Sequence, residues 1–211
     1  MALENSAKQV SLIIPENGDA KRVNNKQRSK QKDKDFVAID CEMVGIGRKR
    51  RSVLARVSIV NSEGETIYDK FVKPTGKVTD YRTQVSGIRP QDLANGDLFA
   101  IVKTEVRQIV KNKLLVGHGL ERDLEVLELN HPEHLIRDTS TYWKVKENTI
   151  LRKPSLKLLA SKLLGVTIQD GEHSSVEDAK AALQLYKMVH KDWENKFKQP
   201  SQSYSWEEAR I

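Results

Sequence analysis

Apolar residues along this chain recur with two periods, and the change of period divides it. Residues 36–42, 52–61 ("SVLARVSIVN") and 66–72 ("TIYDKFV") are short runs rich in β-branched and aromatic residues, which predicts three strands. Glu63-Gly64 reads as a tight hairpin turn, so the three should form an antiparallel meander. From there the spacing lengthens. Within 97–113, Leu98, Ile101, Val102, Val106, Ile109 and Val110 fall on one helical face, with Asp97 as N-cap. "LLVGH" at 114–118 predicts a fourth strand, 121–129 a helix, and "HLIRDT" at 134–139 a fifth strand. A helix over 155–165 is capped by Ser155 and ended by Gly165. The last helix begins near Ser175, where Val176, Ala179, Leu183, Tyr186, His190, Trp193 and Phe197 recur every three or four residues. This order predicts an α/β domain built on a mixed five-stranded sheet flanked by helices.

Composition adds limits. The 211 residues suit one domain with tails, and no apolar run is long enough to span a bilayer. The first residues lack the basic and apolar regions of a secretory signal. One cysteine, Cys41, leaves no internal disulfide or multi-cysteine zinc site and suits a reducing compartment. The net charge of +7 is concentrated in 21–34, where seven basic residues face Asp33 alone. With Val23 its one aliphatic residue, that segment cannot bury enough surface to offset ordering. We therefore expect a disordered tail over 1–34, whose basic part reads as a nuclear-localisation signal, a phosphate contact or a solvated linker. A polar C-terminal tail is expected over 194–211, and nothing demands an oligomer, so a monomer is expected.

The chemistry concentrates in "DFVAIDCEMVG", residues 35–45. Side chains at i and i+2 of a strand share a face, so Asp40 and Glu42 crowd together while Cys41 points away. Two carboxylates that close call for a positive partner. Hard divalent ions such as Mg²⁺ or Mn²⁺ would serve, and hydration at a fraying strand end would be the bland alternative. Both acids are placed at the end of the first strand, where α/β sheets carry their ligands. Asp123 falls in the first turn of the helix after the fourth strand, a position that also suits the helix dipole. In "GEHSSVEDAKAAL" (171–183), His173 precedes a helix and Asp178 lies in its first turn. The serines have capping-box spacing to Glu177 and Asp178, so these acids could simply cap. A histidine beside metal ions could instead take a proton from an attacking water. The run Arg48, Lys49, Arg50 and Arg51, between the first two strands and near the Asp40 edge, could grip substrate phosphates or be a solvated hairpin tip. His131, His134 and His190 read as surface or packing residues, and Asp138 as a turn former.

Taken in order, "DCEMVG", "VGHGLERDL" and "HSSVEDA", with the connecting "LARVSIVN", "VTDYRTQVSGI" and "SLKLLASKLLG", closely resemble the DEDDh branch of the DnaQ-like 3′→5′ exonucleases across 36–190. The resemblance implies a ribonuclease H-like fold, with an exonuclease domain over 35–193. It implies two divalent cations, Mg²⁺ or Mn²⁺, on Asp40, Glu42, Asp123 and Asp178, with Asp40 bridging. His173 matches the general base that releases nucleoside 5′-monophosphates. Met43, Arg82 and the loop Ser86, Gly87, Ile88 match positions around the 3′-terminal nucleotide. Gly119, after His118, departs from the usual polar or small residue and could loosen the loop before Asp123. The expected substrate is single-stranded RNA, in a nuclear and nucleolar setting such as ribosomal-RNA processing. Single-stranded DNA as main substrate, or a noncatalytic RNA-holding assembly factor, remain as alternatives.

Overall fold

The computed structural model describes residues 35–146 and 153–198; the predicted basic segment 21–34 and residues 199–211 lie outside them. Strand β1 spans Phe36–Ile46, β2 Arg51–Val60 and β3 Thr66–Lys73. After the short β4 (Val78–Asp80) come two small helices, α1 (Thr83–Ser86) and α2 (Pro90–Ala94). Then follow β5 (Asp97–Leu98), α3 (Phe99–Val110), β6 (Leu114–Gly117), α4 (Leu120–Val126), β7 (Ile136–Asp138) and α5 (Thr139–Lys146). Helix α6 (Leu156–Leu159) runs into a wider π turn, Ala160–Leu164, and α7 (Ser175–Lys198) closes the order.

The sheet runs β5-β3-β2-β1-β6-β7, with β4 also on β1. Strands β1, β2 and β3 pair antiparallel, whereas β6 joins β1, and β7 joins β6, in parallel. The five predicted strands are thus present in a mixed sheet. Two short strands, β4 and β5, were not expected, because two or three residues carry no readable alternation. Asp97 belongs to β5 rather than capping a helix, and Leu98 stands at the N-cap of α3. The α3 stripe is Val102, Val106 and Val110; Leu98 and Ile101, predicted to join it, are exposed. The β2–β3 link is not a two-residue turn: Asn61 Oδ1 accepts from the amides of Glu63 and Glu65 across a longer loop.

Helices cover both faces. On one face Val37, Ile39 and Cys41 pack with the α3 stripe and Leu127 below α4. On the other Ala38, Val60 and Val116 meet α7 through Ala179, Ala182, Leu183 and Tyr186. Small side chains at Ala38, Ala179 and Ala182 let the first half of α7 lie close to β1, because helix approach is set by the side chains between. The far half is fixed by charge. Arg137 of β7, 1% exposed, donates from Nε and Nη2 to Glu194 Oε1 and Oε2 at 2.6 and 2.8 Å. Its Nη1 donates to the carbonyls of His134 and Ile136. Residues 194–198, assigned to the polar tail although the stripe of the last helix was read through Phe197, are helix, and Glu194 is bound to the core.

Losing one partner of such a buried pair leaves a poorly compensated charge. Glu194→Ala should cost about 3 kcal/mol in urea unfolding. Asp35→Asn, which removes the exposed partner of Lys113, should cost less than about 0.5 kcal/mol.

Candidate active site

Asp40 and Glu42 lie in the middle of β1, not at its end. The apolar run stops at Ile39, but the strand continues to Ile46 by pairing with β2, which sequence periodicity does not reveal. What ends at this level is the neighbour. Strand β6 pairs with β1 only as far as Ala38, and β4 begins at Gly45. Among the described residues, 39–44 therefore have β2 on one side and a notch on the other, beyond the carboxyl end of the parallel strand β6. The two acids share the α7 face of the sheet with Ala38, as their spacing predicts.

The other acids arrive from helix starts. Asp123, buried in the first turn of α4, is placed by Asp138, whose carboxylate accepts the amides of Gly119 and Leu120 at 2.9 and 3.1 Å. Asp138 also accepts from the amide and hydroxyl of Ser140, so it holds the starts of both α4 and α5. Gly119 does not loosen this turn. Its φ of 81° is left-handed, which glycine adopts without strain, and its amide is the one Asp138 grips. Asp178 sits in the first turn of α7, where Ser175 Oγ hydrogen-bonds Ser58 Oγ of β2 at 2.7 Å instead of capping the helix. Ser58 in turn donates to Asp69, which also takes both prongs of Arg56 at 2.8 and 2.7 Å. Ser58 and Arg56 are the β2 partners of Asp40 and Glu42, so this network ties α7 to the acidic pair.

Side-chain oxygens or nitrogens of Glu42, His173 and Asp178 lie within 4.8 Å of one another. His173 Nδ1 is 3.8 Å from Asp178 Oδ2, which accepts from Gln169 Nε2 at 2.7 Å. Glu42 Oε1 and Asp178 Oδ1 are buried and accept no hydrogen bond within the described residues. With Asp40, His118, Ser155 and Gln169 they line an open cleft of about 290 Å³. A larger hollow, about 430 Å³, lies away from it between α4 and β7 and draws in neither Glu42, His173 nor Asp178.

Every acid here holds its proton more tightly than usual. Burial raises Glu42 to about 8, with repulsion from Asp178 adding to it and Arg56 only partly opposing. Burial raises Asp123 to about 7 despite hydrogen bonds from Cys41. Asp40 is raised well above the carboxylate range by burial, then by the charges of Asp123, Asp178 and Glu42. Asp178 is raised by burial, against the pull of Gln169 and His173. Unpartnered buried oxygens and mutually repelling acids are the donor set that hard divalent ions satisfy. The residues present fit such ions.

The remaining expected contacts fall elsewhere. Met43 is partly buried against the α3–α4 core with Cys41 and Leu54. Arg82, in a left-handed conformation, donates to Ser52 Oγ and the Arg50 carbonyl, so it braces the β1–β2 hairpin. Ser86 and Ile88 are buried; the Ser86 hydroxyl bonds the Tyr81 and Arg82 carbonyls, and Ile88 joins a small core with Val44 and Leu93. Gly87 abuts the backbone of His173. Arg48, Lys49, Arg50 and Arg51 are exposed at the hairpin tip, with Arg50 3.5 Å from Asp80. At ~3.3 Å per strand residue, that tip is roughly 20 Å from Asp40, farther than the sequence suggested. Gln169, Arg56 and the Ser58–Ser175 contact escaped sequence reasoning: no periodic pattern marks them, and only folding brings them to the acids.

A family model for exonucleases, RNase_T, matches residues 37–186. RNA exonuclease 4 of Xenopus laevis is 54% identical over 159 residues, covering 75% of this chain and 38% of that protein. RNA exonuclease 4 of Homo sapiens is 52% identical over 160 residues, again 75% of this chain and 38% of that one. The chain thus spans about two-fifths of the length of these relatives. Among solved structures, the Saccharomyces cerevisiae Pan2 pseudoubiquitin hydrolase-RNA exonuclease module in complex with AAUUAA RNA superposes with a TM-score of 0.67. It is 35% identical, over 76% of this chain and 29% of that one.

Raised carboxylate pKa values give the metal-free protein a definite pH dependence. Between about 4.5, where an unfolded glutamate titrates, and about 8, the folded state binds more protons than the unfolded. Stability in EDTA should therefore fall as pH rises through that window, read as melting temperature. Millimolar Mn²⁺ or Mg²⁺ should raise the melting temperature and flatten or reverse the slope. A melting temperature indifferent to both pH and metal would contradict the site.

Proposed function

The chain belongs to the RNase_T exonuclease family, and on that premise we propose that it is a metal-dependent 3′→5′ exoribonuclease releasing nucleoside 5′-monophosphates from single-stranded RNA. The observation that carries the reading is the pair of buried, unpartnered oxygens, Glu42 Oε1 and Asp178 Oδ1, beside His173. Asp40, Glu42, Asp123 and Asp178 would hold two divalent cations, Mg²⁺ or Mn²⁺. When bound, such ions supply Lewis-acid stabilisation of the charge that builds on a phosphodiester during hydrolysis.

The chain's own residues do the rest. His173, whose Nδ1 stands 3.8 Å from the Asp178 carboxylate, accepts the proton of the attacking water. Gln169 holds Asp178 Oδ2 and leaves Oδ1 for the metal. The notch beside residues 39–44 gives a terminal nucleotide access to the acids. Arg48–Arg51 at the hairpin tip contact phosphates several nucleotides upstream, which suits single strands irrespective of base sequence. RNA as substrate is supported by the names of the RNA exonuclease 4 relatives and by the RNA in the Pan2 complex. Nuclear residence, action as a monomer and a part in ribosomal-RNA maturation belong to the same proposal. The basic run Lys21–Lys34 supports a nuclear address.

On 5′-labelled single strands with Mn²⁺ or Mg²⁺, the protein should give a ladder shortening from the 3′ end, and matched RNA and DNA rank the two sugars. Asp40→Asn should abolish the ladder while RNA binding survives, and His173→Ala should lower kcat roughly 10²–10⁴-fold. Binding without shortening under either metal would contradict the enzyme reading. Neutralising Arg48, Lys49, Arg50 and Arg51 together should flatten the salt dependence of RNA affinity, by a slope of about 0.7 per lost phosphate contact. An unchanged slope would remove the hairpin from the RNA path.

A further inference from the structure

His173 stands on a segment, 165–174, that is neither helix nor strand, and its own element does not fix its position. What holds it is the α1–α2 corner. The His173 amide donates to the Val85 carbonyl at 2.7 Å. Gly87, at φ 66°, lies so close that an added Cβ would stand 3.3 Å from the His173 carbonyl and 3.6 Å from Glu172 Cβ. Across this contact Arg89 makes a two-pronged pair with Glu172, Nη2 to Oε1 at 2.7 Å and Nη1 to Oε2 at 3.0 Å. The same Nη1 donates to the Gly87 carbonyl at 2.7 Å.

The corner itself is tied internally. Ile88 and Ser86 are buried, Thr83 Oγ1 donates to the Ile88 carbonyl, and the Arg89 amide is held by Asp92 at 2.8 Å. The loop expected to shape a nucleotide pocket therefore serves as a shelf for the histidine loop. We propose that Arg89 and Glu172 form a latch that positions His173 against Asp178 and Glu42. This deepens the exonuclease reading and rests on it for its catalytic consequence. Both side chains are nearly half exposed, at 46% and 43%, so the pair contributes little to global stability. Its two-pronged geometry fixes orientation, and small displacements of a proton acceptor are costly in rate.

The test uses the full chain on 5′-labelled RNA with Mn²⁺, comparing Arg89→Ala, Glu172→Ala and the double variant with wild type. Each single variant should lower kcat about tenfold, with KM and melting temperature unchanged. The double variant should lose no more than Arg89→Ala alone, since that variant already breaks the Arg89–Glu172 pair along with the Gly87 contact. Hydrogen exchange of the His173 amide should accelerate in all three. Unchanged kcat in an active protein, losses that multiply, or a fall in kcat that tracks the melting temperature would overturn the latch. Inactivity of the wild type would instead sink the exonuclease reading, and the amide exchange would then decide the latch alone: unchanged protection refutes it.

Discussion

Asp40, Glu42 and Asp178 line one notch in the sheet of this protein, with the charge of the buried Asp123 bearing on Asp40 and Glu42, and the repulsion among these acids in a poorly hydrated place is the constraint that the surrounding structure answers. Two kinds of local device supply the acids. Strand alternation gives Asp40 and Glu42, and two helix starts give Asp123 and Asp178. None would choose this company in the absence of a counter-charge. Arg56 stands nearest in register to Glu42, but its guanidinium is committed to Asp69. Among the described residues, Glu42 Oε1 and Asp178 Oδ1 are therefore left buried without a hydrogen-bond donor.

Holding repelling groups together needs anchors elsewhere. Helix α7 is tied at its start by the Ser58–Ser175 hydroxyl contact and near its end by Arg137 and Glu194, with small alanines between that let it lie close to β1. Helix α4 is held by Asp138, an acid whose four accepted hydrogen bonds leave it a structural part despite its place beside the site. These anchors are polar and mostly buried, so they specify where the helix starts lie, which apolar packing alone would fix loosely.

Much of this was legible in the sequence, for reasons that differ by element. The i, i+2 spacing of Asp40 and Glu42 gave their shared face, and three ordered motifs gave the family. The long apolar periodicities gave the sheet core and α7. Strand length was misread, because β1 continues through its acids by pairing with β2, and the two carboxylates interrupt the apolar run although Val44 beyond them is buried. Leu98 and Ile101 were misplaced, since hydrophobic character alone does not say which edge of a helix the sheet covers. The roles of Gln169, Arg56 and Asp138 are set by tertiary proximity across 9 to 19 residues of chain, beyond the reach of any local pattern. Arg82 and the Ser86–Ile88 loop matched family positions, yet their hydrogen bonds here brace backbone.

Burial and mutual repulsion raise the proton affinity of these acids, and a divalent cation bound among them would displace those protons. Titrating Mn²⁺ into the metal-free protein at pH 7, by calorimetry in buffers of different ionisation enthalpy, counts the protons displaced. With Glu42 near 8 and Asp123 near 7, binding should release about one proton or more, and the number should fall as pH rises above 8. Binding heats that do not depend on the buffer, or no binding at all, would show that the acids are not waiting for a cation.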